Sequence, residues 1–260
     1  MSNIEIKNLT KKFDTADGPL TVVDDITLSV AEGEFVCLLG PSGSGKSVTL
    51  NCIAGLLDAT EGDIMVGGIS VRQKQANYGY IFQQPRLLPW RTVEENLQFA
   101  LRAETGRPVP NEKKRIADVL ELMSLTGYEK FYIHQISGGM QNRVSIARSY
   151  IRNPDLLLMD EPFGALDEMT ARKLRSELVS AWMRDKRTVV FVTHDIVEAC
   201  YLADRILVYT PKPTRIASMI NIDLPRPRVY GSEALHEVET RVLAACEQSL
   251  SQFTTGSAES

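Results

Sequence analysis

Among the stretches that are apolar without a break are "FVCLL" at 35–39, "LLLM" at 156–159 and "VVFV" at 189–192. Runs of this length fit strands buried on both faces. Elsewhere the pattern alternates. "IEIKNL" and "VDDITLSV" near the start have the period of half-buried strands, "GDIMVGGISV" reads as a strand pair about Gly67-Gly68, and "YGYIFQ" and "RILVYT" are further short strands. Helical spacing appears in "SVTLNCIAGLL", at Ile116, Val119, Leu120 and Met123, and at Met140, Val144, Ala147 and Ile151. Thr92 and Glu95 form a capping box before "NLQFAL". "ALDEMTARKLRSELVSAWMRD" and "SEALHEVETRVLAAC" are two more helices. "RAETGRPVPNEKKR" reads as a solvated loop with a basic end, "LPRPR" as extended chain, and "TTGSAES" as a frayed terminus.

Alternation of buried strands with helices predicts an α/β fold with a mainly parallel sheet. An all-helical stretch interrupts it. The expected division is a core lobe at 1–90 and 154–215, a helical lobe at 91–153, and a C-terminal extension at 216–260 that is either a regulatory tail or simple packing. No internal repeat is visible.

Composition adds exclusions. With 260 residues, a net charge of −4 and 43% hydrophobic residues, the chain has the make-up of a globular protein, and nucleic acid is not expected as its main partner. No run approaches the ~18 apolar residues of a membrane span. Cys37, Cys52, Cys200 and Cys246 are scattered, which suggests reduced thiols in the cytoplasm and no zinc site.

The strongest chemical signal is "GPSGSGKS", Gly40 to Ser47, between a buried strand and an apolar helix. It fits GxxxxGK[ST]. Gly40, Pro41, Ser42, Gly43, Ser44 and Gly45 let backbone N–H groups wrap a phosphate, and the helix start adds its partial positive charge. Lys46 is placed for the β- and γ-phosphates of ATP and the Ser47 hydroxyl for Mg2+. Asp160, at the end of "LLLMD", is placed to hold Mg2+, through water. Glu161 follows and should face elsewhere, since strand neighbours alternate faces, where it could orient an attacking water. A second glycine turn, Ser137-Gly138-Gly139, also opens a helix but has no lysine after it.

"GPSGSGKS", "FQQPRLLPW", "ISGGMQNRVSIAR", "LLLMDEPFGALD" and "FVTHD" occur in an order that resembles the ATP-binding cassette (ABC) ATPases, over about residues 4 to 215. The resemblance implies a P-loop NTPase core, an N-terminal antiparallel β subdomain and an inserted helical subdomain, in an enzyme that hydrolyses ATP to ADP and phosphate. It implies that Ser137, Gly138 and Gly139, with Met140 where the family has glutamine, complete the ATP site of a second cassette, identical or paralogous. The plain alternative is a Ser-capped helix. It matches Gln83 to a residue that senses Mg2+ and the attacking water, His194 to the γ-phosphate switch, and Asp167 to a loop that touches the opposing site or merely caps a helix. It matches Phe13 to the adenine-stacking aromatic, with core packing as the alternative. Val48 stands where the family has threonine, so nucleotide binding should be somewhat weaker.

A single cassette without a span resembles the free-standing ATPase of an importer, and "QQPRLLPW" with "LPRPR" is similar to the nitrate/sulfonate/taurine group. That implies two transmembrane permease subunits as partners, indirectly a solute-binding protein, and a peripheral place on the cytoplasmic face of the membrane. Leu87, Leu88, Pro89 and Trp90 would receive a permease helix, or else pack inside the helical lobe. An exporter ATPase or a soluble regulatory cassette is the alternative. The roughly 50 residues between Gln83 and Ser137 leave no room for the long coiled coil of a chromosome-organising ATPase.

Overall fold

The structure, a computed structural model, describes residues 2–73, 77–103 and 106–256, with side chains through Ser251. In chain order its elements are β1 (Ile4–Thr15), β2 (Gly18–Val30), β3 (Phe35–Leu39), α1 (Lys46–Ile53), β4 (Glu61–Val66), β5 (Ile69–Ser70), β6 (Tyr78–Ile81), α2 (Val93–Leu101), α3 (Glu112–Leu122), α4 (Gly138–Tyr150), β7 (Leu156–Asp160), α5 (Glu168–Arg184), β8 (Thr188–Thr193), α6 (Ile196–Leu202), β9 (Arg205–Tyr209), β10 (Ile216–Asn221) and α7 (Glu233–Gly256). They form two compact units, 1–76 with 186–260, and 77–185.

The first unit holds two sheets. One is antiparallel, in the order β2-β1-β4-β5. Ile4, Ile6, Leu9, Ile26 and Ile64 fill its inner face. In the other, β3 lies parallel to both β8 and β9, and β10 closes antiparallel on β9. Every residue of β3 and β8 is buried, as uninterrupted apolar runs require. The register Leu39↔Thr193 sets the ends of β3 and β8 side by side, so the residues that follow each strand, Gly40 and His194, emerge at one edge.

Helix α7 lies against α6, β9 and β10 and buries Leu235, Val238 and Val242, one stripe of a 3.6-residue period. It runs on to Gly256, into the "TTG" that the sequence assigns to a frayed end. The remaining part of that stretch lies outside the described residues.

The "LPRPR" segment forms neither helix nor strand and bends at Arg226 and Pro227, where extended chain was expected, and its arginines have a structural task. The Arg228 guanidinium is buried and donates to the carbonyls of Ala203 (2.6 Å), Cys200 (2.7 Å) and Tyr201 (3.2 Å), and to Leu224. It thereby satisfies carbonyls at the C-terminal end of α6 that no helical N–H can reach and places a cation at the negative end of the helix. Burial, and then the like charge of Arg226, pulls its pKa down to about 10, so it remains charged at neutral pH. Arg226 donates to Asp204 and to the Leu202 carbonyl, and Asp204 accepts the Phe35 N–H at 2.9 Å. Arg228→Met will leave these carbonyls unpaired and lower stability by about 2–4 kcal/mol. A denaturation midpoint that does not move would contradict this.

Among its described residues the second unit carries one parallel pair, β6 with β7, four α-helices and a short 3-10 helix at Ile133–Gln135. The capping box of α2 is present as expected: Thr92 accepts from the Glu95 N–H, and Glu95 from that of Thr92. Helix α3 begins at Glu112, so the basic end of the expected loop is helical instead. Glu112 holds it there, accepting Arg102 Nε at 2.9 Å. Arg115 donates to the Ile151 carbonyl at 2.7 Å. Glu104 and Thr105 of that loop lie outside the described residues. Gly79 of β6 meets α4 closely, and the Ser149 hydroxyl donates to the Tyr80 carbonyl at 2.8 Å.

Candidate nucleotide site

In the first unit the chain leaves β3 at Leu39, turns through 40–45 and enters α1 at Lys46. Gly45 caps the helix with φ 100°, and a side chain there would meet Thr214 Oγ1 at 3.0 Å and Val22 Cγ1 at 3.1 Å. A left-handed backbone and a crowded Cβ position both require glycine. Lys46 is 3% exposed, and its ammonium donates to the carbonyls of Gly40 and Pro41, each at 2.8 Å. The lysine thus folds back over the loop that it would serve. Ser47 and Val48 are half-buried in the first turn of α1, while Pro41, Ser42 and Gly43 are exposed and Ser44 is buried.

His194 is exposed at the end of β8 and shares the rim of one cavity with Gly40 and Pro41. The turn after it is braced: the Asp195 N–H donates to Thr193 Oγ1 at 3.0 Å, and Asp195 accepts from the Glu198 N–H at 3.1 Å. Phe13, in β1, is half-buried beneath the Lys11 ammonium, 5.0 Å from its ring centroid.

The second unit carries the carboxylates. Asp160 ends β7, half-buried. Glu161 is the next residue but lies outside the strand, with φ 44°. Its direction is therefore set by a left-handed backbone and not by strand alternation. Such a conformation costs a non-glycine residue about 1–3 kcal/mol and gathers at functional positions. The Gln83 amide donates to Glu161 Oε2 at 3.4 Å, so the structure brings these two expected residues together.

Ser137 caps α4, accepting the Met140 N–H at 3.3 Å. Gly138 is exposed, while Gly139 and Met140 are half-buried. A Cβ on Gly139 would stand 2.8 Å from Thr170 Cγ2. Thr170 belongs to the first turn of α5, whose cap is Asp167: its carboxylate accepts the Thr170 N–H at 3.0 Å, which holds its pKa below the ordinary range. Thr170, which the sequence does not single out, thus packs the Asp167 turn against the glycine turn.

The apolar cluster after Gln83 is partly open. Pro89 is exposed, Trp90 is 70% exposed, and Leu87 and Leu88 are half-buried. Asn96, fully buried, fixes the loop by accepting the Leu88 N–H at 2.9 Å and donating to the Thr92 carbonyl at 2.9 Å. A polar residue on the buried face of α2 was the available signal for that role. Arg91 stacks over the exposed ring of Phe99 at 5.2 Å.

Residues 23–164 match the family model described as "ABC transporter". The chain belongs to the ABC transporter family. It is 41% identical to an aliphatic sulfonates import ATP-binding protein of Bacillus cereus, over 94% of this chain and 96% of that protein. It is 44% identical, over 92% and 90%, to an uncharacterized ABC transporter ATP-binding protein of Methanocaldococcus jannaschii. Among solved structures, an ATP-binding cassette captured as a dimer in a post-hydrolysis state with ADP and Pi matches with a TM-score of 0.76 at 32% identity, covering 85% of this chain and all of that one. The fold is the ABC ATPase cassette, and the chain is an ATP-binding ABC ATPase. No described helix is long and apolar enough to cross a membrane.

Proposed function

We propose that this cassette powers import of small organosulfonates through separate permease subunits. The observation that carries the reading is the 41% identity to a sulfonate import ATP-binding protein across nearly the full length of both chains. Lys46 and the loop N–H groups bind the phosphates of ATP, and Phe13 stacks on adenine. The Ser47 hydroxyl, the Asp160 carboxylate and the Gln83 amide are the oxygen donors we assign to Mg2+. Hard oxygen donors of this kind would suit Mg2+. The metal would neutralise charge on the transferred phosphoryl group. Glu161 orients the attacking water and His194 contacts the γ-phosphate. Ser137 to Met140, with Asp167, act on the ATP of a second cassette, and the whole sits peripherally at the cytoplasmic face with a solute-binding protein upstream.

Uptake of labelled alkanesulfonate in cells with and without this chain tests the solute. Loss of sulfonate uptake supports the reading; unchanged sulfonate uptake with loss of nitrate uptake overturns it. Trp90 is the proposed permease anchor, since an exposed aromatic on a braced loop is the usual hot spot. Trp90→Ala will weaken permease association by about 2 kcal/mol, roughly thirtyfold, read by co-purification and uptake. Trp90→Phe will retain most of it, and intact association in Trp90→Ala would remove the anchor.

A further inference from the structure

A cavity of about 160 Å³ lies in the first unit between α7 and the edge where β3 and β8 end. Leu39, Ile196, Val208 and Leu250 give it apolar walls. Among the described residues that line it there is no Asp, Glu, Lys or Arg. Its polar side chains are Ser249 and Cys246 of α7, Tyr209 of β9, and His194. Ser249 is 4% exposed, and its hydroxyl has no hydrogen-bond partner among the described residues. A buried hydroxyl left unpaired is costly and is explained by a ligand that meets it. Cys246, one turn away, is half-buried. On the remaining side stand Gly40, Pro41 and His194, the first residues of the phosphate loop and the residue after β8.

We propose that this cavity is a regulatory site for a small, neutral, mostly apolar molecule carrying one hydroxyl. A cavity near 150 Å³ lined by aliphatic side chains holds a molecule of about benzene's size. With no Lys or Arg in the lining, only His194 could favour an anion such as the proposed sulfonate, and Ser249 both donates and accepts, so it pairs with a single hydroxyl. Occupancy pushes on Gly40-Pro41 and His194 and so alters ATP turnover. This consequence rests on the ATPase function, whereas binding does not.

Phenol is the probe, and Cys246 reports its binding. Cys37, Cys52 and Cys200 are fully buried, so alkylation of the native chain reads Cys246. Burial raises its thiol pKa, which calls for a mildly alkaline reaction. Phenol will slow labelling saturably and will shift ATP turnover with the same half-saturation. Ser249→Ala will weaken protection about three- to tenfold, the loss of one hydrogen bond, and Ser249→Leu, which fills the space, will abolish it. Labelling that phenol does not slow, or protection that persists in Ser249→Leu, overturns the site. Protection with unchanged turnover overturns the regulatory coupling. A chain with no turnover even without phenol speaks against the ATPase assignment, and the labelling result then decides the site alone.

Discussion

Glu161→Gln will bind ATP as the parent chain does and hydrolyse it about 10²–10⁴-fold more slowly, the usual contribution of a positioned general base. The substitution keeps the shape of the side chain and removes only its negative charge. It also retains an oxygen that can accept from Gln83, now 3.4 Å from Glu161 Oε2. The backbone at this position is left-handed, φ 44°, and the Glu161 carbonyl accepts the Gly164 N–H at 3.2 Å in the turn that follows. A left-handed backbone held in a tight turn points the side chain in one direction. The same variant should associate in ATP but not in ADP, because trapped ATP favours the closed pair of cassettes. Light scattering after size exclusion reads this directly. Turnover within a few-fold of the parent would take Glu161 out of the chemistry.

The parts of this fold that were legible in the sequence are those where one local signal dominates. "FVCLL", "LLLM" and "VVFV" became the buried strands β3, β7 and β8 because a short apolar run between polar ends has few other solutions. The Thr92–Glu95 box fixed the start of α2 for the same reason. Legibility failed where polar residues sit inside a strand. Strand β1 runs past Asn8 to Thr15, and its pairing with β2 shifts register there. Asn8 and Asp25 both have φ 52° and bond to each other at 2.7 Å. Bulges of this kind carry polar residues that look like strand ends. Nor could the sequence foresee Arg228: a buried guanidinium serving carbonyls of α6 and of Leu224 is a tertiary fact, invisible in "LPRPR".

The site divides along the same line. The order of motifs singled out the phosphate loop, the Asp160-Glu161 pair and the Ser137 turn as candidates. What packs against them can come from residues distant in sequence, as Thr170 does for Gly139. The direction of Glu161 belongs to this second group, because the sign of φ at a non-glycine residue leaves no mark on the hydrophobic pattern.

Lys46→Ala will abolish tight ATP binding. In the structure the ammonium is 3% exposed and held by the carbonyls of Gly40 and Pro41 at 2.8 Å. A charge kept in so dry a place would meet phosphate oxygens with little screening. One charge-assisted hydrogen bond is worth about 1.5–3 kcal/mol, so loss of the side chain should weaken binding by at least ten- to a hundredfold. The two carbonyl contacts add a second effect, since alanine also removes the tie across the loop. Lys46→Arg separates the two. It retains the charge, but a rigid planar fork cannot reproduce the point-like ammonium between two converging carbonyls, so Arg should recover only part of the affinity. Titration with a fluorescent ATP analogue, alongside a denaturation curve to show that each variant is folded, gives the answer. A folded Lys46→Ala chain with parental affinity would mean that the loop N–H groups alone bind the phosphates, and that Lys46 serves only to tie the loop together.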